Sequence, residues 1–142
     1  MAFREKLAWL TLVTMLVTYG VYFGVLGPGV KFGANRLLDV VWTFGLVSAV
    51  HAVAMIAGSV LMAIIWRGEA SALADERDRA IARRGATIGY YVLIVGMILV
   101  GVVMPFTDPP WKIINAALAA IVLAETLHQA IVLLGYRRGW NG

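Results

Sequence analysis

The chain reads as an all-α integral membrane protein, a four-helix bundle of up-down topology, and three observations predict this class. The first is composition: 61% of its 142 residues are hydrophobic, 14% are charged and mean hydropathy is +0.84, whereas a soluble domain is about half apolar and a quarter charged. So short a chain has too little interior to keep that much apolar surface from water, so the lipid bilayer must receive it. The second is that four separate runs reach the roughly 20 apolar residues a helix needs to cross hydrocarbon. The third is that basic residues collect at matching ends of those runs. Together they exclude a disordered chain and an ordinary nucleic-acid-binding domain. The lack of cysteine excludes a disulfide framework and a thiolate metal site.

The first predicted span runs from Leu7 to Leu26 and is closed by Gly27-Pro28-Gly29. Proline has no amide hydrogen to continue the helical ladder, and glycine favours turns. Arg4 and Lys6 precede this run as they would precede a signal peptide. Its length and the absence of a small-residue cleavage pattern predict a retained helix instead. The second span is Val40 to Trp66. The third, Gly85 to Met104, ends at Pro105, and Pro109-Pro110 leads into the fourth, Ile113 to Gly135. The remaining connections are too short for a separate soluble unit, so residues 1–142 form one transmembrane domain.

Orientation follows from the retention of Lys and Arg on the cytoplasmic side. Arg4, Lys6, Arg67, Arg77, Arg79, Arg83, Arg84, Arg137 and Arg138 fall on one side, and Lys31, Arg36 and Lys112 on the other. Both termini are therefore expected in the cytoplasm. The tryptophans agree: Trp9, Trp66 and Trp140 mark the inner ends of spans, Trp42 and Trp111 the outer ends, at the headgroup level that indole prefers. The net charge of +4 belongs to the inner face, beside anionic lipid. No direct contact with nucleic acid is expected.

Ionisable groups at membrane depth are costly and become functional candidates by default. Here they are His51 in the second span and Glu125 and His128 in the fourth, with Gln129 alongside. Counted from Val40 and from Ile113 at about 1.5 Å per residue, His51 and Glu125 reach nearly the same depth, with His128 about one turn nearer the cytoplasm. On the second helix Phe44, Ser48, His51, Met55, Gly58 and Met62 form one stripe. On the first, Thr11, Thr14, Thr18 and Tyr22 form another. A polar seam between the first, second and fourth spans is expected, with the third span devoted to packing through Gly85-x-x-x-Gly89. Gly20-x-x-x-Gly24, Ala54-x-x-x-Gly58 and Ala116-x-x-x-Ala120 offer further close contacts, within the chain or in a homodimer. The bland alternative for the seam is an interhelical hydrogen-bond network. For the threonines it is bonding to carbonyls one turn back. His51, Glu125 and His128 are also the candidate metal ligands, in the three-ligand style that zinc accepts. The second E-x-x-H of a di-iron bundle is missing, and only the two histidines suggest haem. No cofactor is assigned. With no nucleophile triad, phosphate loop or Rossmann glycines, no enzymatic activity is expected.

The cytoplasmic loop, residues 67–84, is the most charged part of the chain. Its alanines and lack of proline favour a helix starting near Ser71, as a cytoplasmic extension of the third span, with Asp75 and Arg79 as an acid-before-base pair. Asp75, Glu76, Arg77, Asp78, Arg79, Arg83 and Arg84 make it either a solvated extension or a salt-sensitive docking surface. Asp75-Glu76-Arg77-Asp78, followed by Ile81 and Arg84 before the third span, and the ending Gly135-Tyr136-Arg137-Arg138-Gly139, resemble small four-helix bacterial membrane proteins of the DUF2178 type. The resemblance implies a multi-pass bacterial inner-membrane protein. It also implies a regulatory role, since similar proteins accompany cytoplasmic transcription regulators, with Asp75 to Arg79 as the residues to test. The expected function is therefore non-enzymatic regulation through a cytoplasmic protein partner. A proton- or ion-coupled small transporter using the Glu/His cluster is the alternative, and a metal- or haem-binding membrane protein comes third.

Overall fold

The computed structural model describes residues 3–26, 36–71 and 75–138. Helix α1 spans Phe3–Val21 and passes into a π-helical turn, Tyr22–Leu26. Helix α2 spans Arg36–Ile65, the single-turn α3 spans Arg67–Ala70, and α4 spans Glu76–Ile98. A π segment, Leu99–Val103, and a 3-10 turn, Met104–Phe106, extend α4, and α5 spans Pro110–Arg137. No strand occurs among the described residues. Within them, four helical segments are long and apolar enough to cross a membrane: Phe3–Val25, Leu37–Ile65, Glu76–Phe106 and Pro110–Arg137. Each is longer than its apolar run, most of all the third, whose helix begins nine residues earlier at Glu76. Gly27-Pro28-Gly29, Lys31 and Trp140 lie outside the described residues.

Two boundaries have local causes. Pro105 cannot donate to the carbonyl four residues back and its ring crowds it. The α pattern gives way over the preceding five residues to π geometry, then tightens to 3-10 at the proline. The turn into α5 is closed by the Asp108 amide donating to Met104 O (2.8 Å) and the Lys112 amide donating to Pro109 O (2.9 Å). The other boundary corrects an expectation: the charged helix starts at Glu76, not near Ser71. Asp75 has extended backbone and its carboxylate accepts the Asp78 amide at 2.6 Å, which makes it the N-cap. Asp is a strong N-cap because it satisfies a donor that the first helical turn leaves orphaned.

The tightest pairing is α4 on α5, with α1 packed on α5 and α2 on α1; α2 meets α5 more lightly. Glycine explains the first of these. A Cβ on Gly85 would lie 2.7 Å from His128 Cδ2 and from Val132 Cγ2, one on Gly89 3.1 Å from the Ala124 carbonyl oxygen, and one on Gly96 2.7 Å from Ala120 Cβ. Gly135 in turn accepts Ile81 on α4. Helices in lipid gain nothing from excluding water, so such close backbone approach supplies the van der Waals contact that holds them. The buried cluster Ala8, Ile81, Val132 and Leu133 fills the junction of α1, α4 and α5.

One end of the molecule gathers the start of α1, the end of α2 with α3, the start of α4 and the end of α5. Lys6 Nζ bonds Glu69 at 2.9 Å and lies 4.3 Å from the Trp66 ring centroid, and Arg137 lies over the Trp9 ring. At the other end the Tyr22 hydroxyl donates to Asn115 Oδ1 (3.1 Å) and Trp42 is exposed.

Candidate functional site

The stripe on α2 shares one face, as its spacing requires, and that face meets α1. A Cβ on Gly58 would strike Leu10, the Tyr19 hydroxyl donates to Ser48 Oγ (3.3 Å), and Met55 Sδ lies 3.2 Å from Thr14 Oγ1. Tyr19, absent from the hydroxyl stripe read in the sequence, is the pivot of this face. Its ring stacks on Phe44 (centroids 5.5 Å apart, 25° between planes) and tilts against His51 (5.3 Å, 50°). Tyr22 meets Phe44 edge to face at 5.1 Å. His51 is thus held on an aromatic wall, with Nδ1 buried and lacking a hydrogen-bond partner. Most buried polar atoms are satisfied, which makes this nitrogen a free donor or acceptor at mid-helix.

Because α2 meets α5 only lightly, a cavity of about 390 Å³ is left between α1, α2 and α5. His51 and Glu125, from different helices, both line it, together with Met15, Tyr19, Phe44 and Met55. Counting residues along the two helices set them at nearly the same depth, and the structure brings both to one space. Glu125 keeps 46% of its side-chain surface open. Its Oε1 accepts from Gln129 Nε2 at 2.8 Å, and its Oε2 lies 3.4 Å from His128 Nδ1.

His128 does not face His51. It lies along the glycine ridge of α4, where Gly85 and Gly89 leave room for its ring and Cβ. With Gln129 it lines a second cavity of about 280 Å³, which extends to Arg4, Asp78 and Tyr136 at the end where the termini gather. Thr11 lines both cavities. Glu125 therefore faces one space and is bonded to two side chains of the other. Among the described residues no group of three His, Asp or Glu side chains comes together to hold a metal ion, so the candidate trio of His51, Glu125 and His128 is split. Thr11 and Thr14 follow the bland reading, donating to Leu7 O and Leu10 O one turn back.

The charged segment is more occupied than its composition suggests. Asp75 caps α4. Asp78 accepts the Tyr136 hydroxyl at 2.8 Å and pairs with Arg4 Nε at 3.3 Å, tying the starts of α1 and α4 to the end of α5. Glu76, Arg77, Arg79, Arg83 and Arg84 are exposed, and Arg79 also lines the second cavity. Asp78 and Tyr136 are distant in sequence, and no local pattern announced their contact. Asp75-x-x-Asp78, by contrast, carries a capping signal that its charges obscured.

The fold is that of an all-α protein with four helices long and apolar enough to cross a membrane, and one carboxylate, Glu125, lines a space between three of its helices. No family model, curated protein or solved structure matches the chain.

Proposed function

We propose that the chain is a non-enzymatic, multi-pass inner-membrane protein, with an up-down bundle and both termini cytoplasmic, that works as a proton- or ion-coupled small transporter. The observation that carries this reading is the convergence of His51 and Glu125 on one cavity. A carboxylate that lines such a space can exchange a proton or cation with it, and membrane-embedded acids are too costly to retain idly. The second cavity gives it a neighbour on the charged side, through His128 and Gln129. Proteoliposomes loaded with a pH-sensitive dye test this under an imposed potassium diffusion potential. Wild-type vesicles should take up protons at least tenfold faster than protein-free ones, and Glu125→Gln should return the rate to background. A Glu125→Gln rate equal to wild type contradicts the reading.

A second reading, regulation through a cytoplasmic protein, is favoured by the exposed charges on a helix start held firm by Asp75 and by the Arg4–Asp78–Tyr136 junction. Asp75 and Asp78 are poor probes of docking because they hold the fold. Glu76→Arg with Arg83→Glu reverses exposed charge while sparing both. The doubly reversed protein should lose a cytoplasmic protein that co-purifies with wild type, and the wild-type complex should weaken in high salt. Retention of that protein by the reversed variant would rule out docking through this face.

A further inference from the structure

We infer that the cavity between α1, α2 and α5 is a binding site for a lipophilic organic cation, a protonated amine or onium ion carrying an apolar body. The inference rests on the reading of this cavity as a ligand site and adds the chemistry of the ligand. Volume comes first: about 390 Å³ is far more than a bare metal ion or a water pair fills, and falls in the range of small-molecule pockets. Charge comes second. Among the described residues that line the cavity, Glu125 is the one acidic side chain, and neither Arg nor Lys joins it. The neighbours bonded to Glu125, Gln129 and His128, leave the carboxylate half open. An anionic ligand would face that carboxylate with neither Arg nor Lys to offset it and only the His51 imidazole to meet it, whereas a cation meets the carboxylate directly.

The wall opposite the acid supplies the third element. Tyr19, Phe44 and His51 form a continuous set of ring contacts. Aromatic faces attract cations through the ring quadrupole. Met15 and Met55 complete the lining with polarisable, adaptable surface that tolerates varied apolar groups. A hydrated inorganic cation would gain little from such a wall, whereas a cation whose charge is spread beneath phenyl or alkyl groups matches both sides at once.

Equilibrium dialysis of the purified full chain in detergent, against protein-free micelles, tests this with two ions of nearly equal shape and opposite charge. Tetraphenylphosphonium should bind saturably at one site per chain, and tetraphenylborate should only partition as it does into empty micelles. Glu125→Gln should weaken the cation at least tenfold, Glu125→Asp less, and Tyr19→Leu severalfold. Should Glu125→Gln fail to fold, a photoreactive triphenylphosphonium on the wild-type chain locates the site directly. Its adducts should map to Thr11–Tyr19, Phe44–Met55 and Ile121–Glu125, the three stretches that line the cavity, and adducts elsewhere overturn the proposal. Saturable borate binding, or cation binding indifferent to Glu125→Gln, overturns the cation assignment while leaving a ligand cavity in place. Binding that proceeds without proton uptake in vesicles supports this site while contradicting the transport reading.

Discussion

At the scale of single residues, two kinds of carboxylate do different work. Glu125 sits mid-helix and faces a cavity, and its chemistry follows from having polar neighbours on its own helix and open space toward another. Asp75 and Asp78 sit at the charged end of the molecule and do structural work. The Asp75→Ala change should cost about 1 kcal/mol, the usual worth of an N-cap. It should be read as a lowered melting temperature in detergent with faster hydrogen exchange confined to the first turn of α4. Unchanged exchange there would refute the cap. Some of this was legible in the sequence. Counting residues placed His51 and Glu125 at one depth, because helical rise is fixed. The orientation of His128 was not legible, since it depends on Gly85 and Gly89 of another helix making room for the ring. Tyr19 was missed because one position off a threonine stripe says nothing about a ring that reaches Phe44 and His51.

At the scale of elements, the small residues of α4 decide which helices come close. Gly85, Gly89 and Gly96 form a ridge along one face of α4, and Gly85-x-x-x-Gly89 was readable as a close-contact signal, although its partner was not. Gly85→Ala should destabilise by about 1–3 kcal/mol, the range for overpacking, because the new methyl meets the His128 ring, Val132 and a backbone carbonyl. Gly45→Ala on α2, where an added Cβ meets nothing within 4 Å, should instead be neutral or stabilising by up to about 1 kcal/mol through helix propensity. Thermal unfolding of the two variants in one detergent checks both signs, and equal melting temperatures would refute the ridge. The same reasoning explains Gly20 and Gly24, whose spacing promised a contact: an added Cβ meets nothing within 4 Å at either position, so spacing alone does not specify a partner. Pro105 announced the end of the third long segment, but not that the preceding turn would widen into π geometry.

At the scale of the whole molecule, the apolar majority of the sequence made the fold class legible, because four long apolar runs leave few alternatives to four long helices. The order of packing was not legible. It arises from where small side chains and aromatic rings coincide: α4 against α5 through glycine, α1 between α5 and α2, and α2 light on α5. That light contact opens the cavity and creates the meeting of His51 with Glu125, on which the functional reading depends. The chain contains no cysteine, so an engineered pair reports alone. Ala52 on α2 and Val122 on α5 line the cavity and are not ionisable themselves. In native membranes, Ala52→Cys with Val122→Cys should be bridged within one chain by a short bifunctional thiol reagent, whereas Ala52→Cys with Val102→Cys, at an exposed position after α4, should not. Failure to bridge the first pair, or equal bridging of both, would contradict a shared cavity between these helices.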